Sequence, residues 1–161
     1  MNLKYVTAAA ALAVAMLGFA APPVSAQNTP ASAQNAEGVA AIVNDKVIST
    51  FDVRQRATML LLFANLQPTA ELLERARSQA LRDLVDEQLQ LGEAAKFDIN
   101  VTGDAIDRRM TDMAQRSDTT LDNLTNDLAH SGVSVTTLRN QIRAEIAWQR
   151  LIAGMYGSRV R

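Results

Sequence analysis

The chain has no cysteine and a single histidine among its 161 residues. The missing thiols exclude disulfide frameworks, thiolate metal centres, cysteine nucleophiles and thiol redox switches together. One imidazole cannot build a paired-histidine metal site. Charge of one sign is also lacking: 16 Lys and Arg stand against 17 Asp and Glu, a formal net charge of -1. No basic field is present to hold a nucleic acid, and no acidic tail stands out. The 7 glycines are scattered and form neither a dinucleotide fingerprint nor a P-loop. No Gly-x-Ser-x-Gly elbow occurs. Composition otherwise has an ordinary globular balance, with 48 % hydrophobic and 20 % charged residues.

Part of that hydrophobic share belongs to the N-terminus. Lys4 gives a short positive region, and Tyr5 to Ala21 is uncharged and apolar. Val24-Ser25-Ala26 places small residues where signal peptidase cuts, between Ala26 and Gln27. Residues 1–26 are therefore expected to be a cleavable export signal rather than a permanent membrane anchor, and the periplasm is the expected destination. Residues 27–38 are polar, rich in Ala, Ser and Asn, and without periodicity, the composition of a disordered tether. The folded part is expected over 39–157, with 158–161 as a tail.

Val39 to Val43 is a short β-prone run, and Lys46-Val47-Ile48 follows Asn44-Asp45. Asn and Asp tolerate the left-handed conformation, so this segment predicts a tight hairpin that must rest on helices. Ser49 or Thr50 caps a first helix to about Asn65, where Pro68 prevents continuation. Met59 to Phe63 covers that helix with large apolar residues all round. Such a helix is buried on more than one side or left partly greasy. Thr69 opens a second helix over Ala70 to Ala95, with one stripe of Leu73, Ala76, Ala80 and Leu84 and another of Leu81, Val85 and Leu89. At roughly 39 Å it is long enough to act as a spine. Phe97 to Val101 predicts a short extended link. Thr102 opens a third helix, Thr119 or Thr120 a fourth, and Ser134 a fifth, with Gly132 suited to the cap between the last two. The fifth helix carries Leu138, Ile142 and Ile146 on one stripe and Ala144, Trp148, Leu151 and Met155 on a second. The fold class is mainly α: a helix bundle of about five helices with a short N-terminal β-hairpin.

Little chemistry is visible. His130 stands near a helix C-terminus, where a cation or a hydrogen bond to the last carbonyls is favourable, and it has no partner for general-base work. Asp104, Asp107 and Asp112 alternate with Arg108 and Arg109, and Asp83, Asp86 and Glu87 with Arg82; both sets are expected to be solvated helix faces. No catalytic residue, metal site or cofactor is implied. The remaining signal is apolar surface. Met59, Met110, Met113 and Met155 are suited either to core packing or to a promiscuous binding face. Any part of Met59–Phe63 that a small bundle leaves uncovered would be a binding site or an oligomer interface.

Three segments together resemble the N-terminal domain of the SurA-type periplasmic chaperones: VAAIVNDKVISTFDVRQR (39–56), LRDLVDEQLQLGEAAKFDINVT (81–102) and DNLTNDLAHSGVSVTTLRNQIRAEIAWQRLI (122–152). The resemblance implies a module that binds unfolded outer-membrane proteins or other extended polypeptides. Many members of that family carry parvulin-type prolyl isomerase domains after it. A domain of that kind needs roughly another hundred residues, and its histidine-lined site cannot be built from His130 alone. The expectation is a chaperone module with client contacts at Leu61, Leu62, Phe63, Trp148, Leu151 and Met155. Two alternatives remain beside it. One is a truncated piece of a prolyl isomerase. The other is a structural subunit that forms a homodimer or partners a separate isomerase.

Overall fold

The computed structural model describes residues 37–157. The expected export signal (1–26), most of the expected tether (27–38) and the expected tail (158–161) lie outside the described residues. Two strands, β1 (Val39–Val43) and β2 (Lys46–Ser49), precede five helices: α1 (Thr50–Phe63), α2 (Ala70–Ala95), α3 (Gly103–Arg116), α4 (Leu121–His130) and α5 (Val135–Tyr156). The mainly α class with an N-terminal hairpin is as the sequence predicts.

The strands pair antiparallel through a two-residue turn, with φ of 48° at Asn44 and 63° at Asp45. Both values lie in the left-handed region that a type I′ turn requires. Ile42 pairs with Val47 and Val39 with Ser49, and a bulge between Val39 and Ala41 absorbs the extra residue. Alternation alone would put Val39 and Ile42 on opposite faces. The bulge puts both on the face of Val47. The opposite face carries Ile48, which is buried against the helices.

Each helix begins at a hydroxyl cap. Ser49, Thr69, Thr102, Thr120 and Ser134 accept hydrogen bonds from backbone N–H groups of the first turns of α1 to α5. At Ser49 the arrangement is a reciprocal capping box, since Asp52 also accepts from the Ser49 backbone N–H at 2.9 Å. The expected link over Phe97 to Val101 is only partly extended: Asp98 turns into the left-handed region at φ 54° and closes the end of α2.

Helix α1 lies between two cores. Met59 joins Ile106, Met110, Leu128, Val133, Leu138 and Ile142 in the larger one, built with α3, α4 and α5. Ala57 and Leu61 pack with Ala76 and Ala80 of α2 in the smaller one. The small alanines let the two helices approach closely, and opposite flanks of α1 are buried at once. That is why large apolar residues follow one another from Met59 to Leu62. The next residue, Phe63, emerges at the helix end with 45 % of its surface exposed. Helix α2 serves as the spine, packed against α1, α5 and the hairpin.

Candidate functional site

Two polar devices tie elements of the bundle together beneath its surface. Gln55 on α1 is buried, and its amide spans the turn between α4 and α5. Its Nε2 donates to Gly132 O at 2.9 Å, and its Oε1 accepts from Ser134 N at 2.6 Å. The second device is the pair of Arg56 on α1 and Glu87 on α2. Arg56 Nη2 donates to Glu87 Oε2 at 2.9 Å, and Nη1 bonds the other carboxylate oxygen. The Arg56 side chain is 1 % exposed and that of Glu87 12 %. Glu87 therefore does not belong to a solvated face, as the sequence reading had it. It points into the α1–α2 seam because a buried guanidinium needs a carboxylate there. Asp107 also leaves its own helix's charge pattern to pair with Arg139 on α5.

Three depressions at the surface of this frame have apolar walls. The first, about 350 Å³, lies where α1 turns into α2 and is lined by Leu61, Leu62, Leu66 and Leu73. The second, about 520 Å³, is lined by Leu62, Phe63, Met113 and Leu124. The two share Leu62, so they flank a single ridge at the end of α1. The third, about 580 Å³, involves Asn44 of the hairpin turn, Leu89 and Gly92 of α2 and Trp148 of α5.

The six residues expected from sequence divide accordingly. Leu61 and Leu151 are core residues, 6 % and 2 % exposed, and support the surface from beneath. Leu62 is half-buried between the first two depressions. Phe63, Trp148 and Met155 are exposed. Phe63 and Trp148 line different depressions, so the set does not form one patch. The second stripe expected on α5 is not a single face. Ala144 and Leu151 point inward, whereas Trp148 and Met155 point out.

Sequence reasoning missed several exposed apolar residues: Leu66, Leu89, Phe97 and the hairpin trio Val39, Ile42 and Val47. Leu89 lies on a stripe that reads as core, and only the placement of neighbouring helices leaves it open. The hairpin trio was hidden by the bulge, which breaks the two-residue alternation. Among the described residues no cluster of His, Asp and Glu could hold a metal ion. No described helix is long and apolar enough to cross a membrane.

Fold and surface together define a class: a helical module stiffened by buried polar clamps, with apolar depressions at its surface. Residues 36–152 match the model of the SurA N-terminal domain family. The chain belongs to that family. It is 32 % identical over 133 residues to a protein named Chaperone SurA from Salmonella choleraesuis. Proteins of the same name from Escherichia coli O6:H1 and Shigella flexneri are 30 % identical over 133 residues. In each case the match covers 81 % of this chain and 30 % of the relative.

Proposed function

We propose that this chain is a periplasmic chaperone module that holds unfolded outer-membrane protein precursors through its exposed apolar side chains. One observation carries the reading: Phe63 and Leu66 are 45 % and 47 % exposed beside the two apolar depressions at the end of α1. Large apolar side chains gathered at one helix end, beside apolar depressions, are the kind of surface that marks a protein-interaction site. Rigid walls and a few large anchors suit loose binding. Strands of outer-membrane barrels alternate apolar and polar residues, which offers repeated side-chain anchors without a strict motif. The relatives named Chaperone SurA support the same reading, and the signal-peptide pattern of residues 1–26 supports the compartment.

Light scattering tests it. The purified chain, added to a porin diluted from denaturant, is expected to slow aggregation in proportion to its concentration. Aggregation unchanged at excess chain would remove the reading.

A further inference from the structure

The groove beside Trp148 joins an indole to two carboxylates, Asp86 and Glu93, whereas the depression at Phe63 has Asp127 alone. Asp86, Leu89 and Glu93 of α2 line it together, at spacings that put them on one helix face. Gly92 forms part of its wall because the hairpin turn approaches closely there: a Cβ at this position would meet Asn44 Nδ2 at 2.9 Å. Trp148 is 36 % exposed and Leu89 48 %, so the groove offers an aromatic face and an aliphatic wall. Its rim is acidic. Glu93 pairs with Lys96 at 2.6 Å, whereas Asp86 makes no ion pair with a described residue. The charged residues of the lining are Asp86, Glu93 and Lys96, which leaves one carboxylate uncompensated.

We infer that this groove takes a lysine or arginine side chain of an extended, otherwise apolar client segment. The inference rests on the client-binding reading and specifies the chemistry of one anchor. A long basic side chain matches both halves of the groove. Its methylene stem packs against Leu89 while its charged head faces Asp86, the carboxylate left without an ion pair. A cation over an indole face adds a further attraction, and tryptophan is the best of the aromatic partners. An acidic side chain would meet like charge in the same place.

Trp148 is the chain's sole tryptophan, so its fluorescence reports on this groove directly. The test titrates the purified chain with short alternating Val/Thr peptides that differ only in their central residue: lysine, norleucine or glutamate. At low salt the lysine peptide is expected to bind about tenfold more tightly than the glutamate peptide and about threefold more tightly than the norleucine peptide. High salt should narrow both gaps. Asp86→Asn should narrow them as well, with circular dichroism confirming that the fold is kept. Equal binding of the lysine and norleucine peptides would overturn the inference, because the anchor would then be apolar only. So would an absence of any Trp148 response. The wild-type peptide comparison decides the matter even if the variant fails to fold. Slowed porin aggregation alongside a failed peptide comparison would sink the groove assignment alone. Loss of both would sink the client-binding reading too.

Discussion

Gln55 lies on α1, yet both of its hydrogen bonds reach the turn that joins α4 to α5. Its amide satisfies a carbonyl and an N–H that the turn cannot pair within itself. Gln55→Ala is expected to cost about 2–3 kcal/mol, two lost bonds plus the burial of their orphaned partners. A urea midpoint shift measures it. Arg56 and Glu87 form the other long-range pair. Removing only the carboxylate with Glu87→Ala strands a buried cation and should cost about 3–5 kcal/mol, whereas Arg56→Met combined with Glu87→Leu should recover most of that loss. A double variant as unstable as the single one would show that the charges themselves are needed. Neither device was legible in the sequence. The residues of each are far apart along the chain, and helical periodicity reports which face a residue occupies, not what it meets there.

At the scale of elements, helix starts were legible because capping is local chemistry. A hydroxyl followed by helix-forming residues satisfies the first N–H groups wherever the helix later packs. Helix ends were less legible, and the reason lies in which residues turn the chain. Four helices close on a left-handed residue: Asn65, Asp98, Asp118 and Gly132. After α4 the N–H of Val133 donates to Leu128 O at 2.9 Å and that of Gly132 to Ala129 O at 3.0 Å, the Schellman pattern. The same paired bonds follow α3, through Thr119 and Asp118. Only Gly132 announces such a stop by composition; Asn and Asp are used in many other ways. Asp118→Gly is expected to raise stability by up to about 1 kcal/mol, because glycine adopts positive φ without a Cβ penalty. Asp118→Val should lower stability by more than that, since a β-branched residue is strained there. Thermal melts of the two variants should therefore move in opposite directions.

Across the whole molecule, the placement of α1 between two cores governs both stability and surface. Met59 is fully buried in the larger core, so Met59→Ala is expected to cost about 2–5 kcal/mol by chemical denaturation. The same placement leaves Phe63 at the edge of both cores. Of the apolar residues expected at the surface in Met59–Phe63 and at the end of α5, Phe63, Trp148 and Met155 are exposed. Buried and exposed members are not distinguishable in the sequence, because both kinds are chosen from the same apolar set. Leu151 and Trp148 illustrate the point: three positions apart on α5, one is sealed in the bundle and the other faces the hairpin-side groove.

On the proposed function, the exposed apolar side chains, rather than the bundle in general, hold unfolded polypeptide. Photo-crosslinking tests it most directly, with a benzophenone amino acid placed in turn at Phe63, Leu66 and Trp148, and at the exposed polar positions Gln115 and Asn126 as controls. Unfolded porin is expected to crosslink at the apolar positions and not at the controls. Equal crosslinking at all five, or crosslinking at the controls alone, would show that the exposed apolar side chains are not the binding surface.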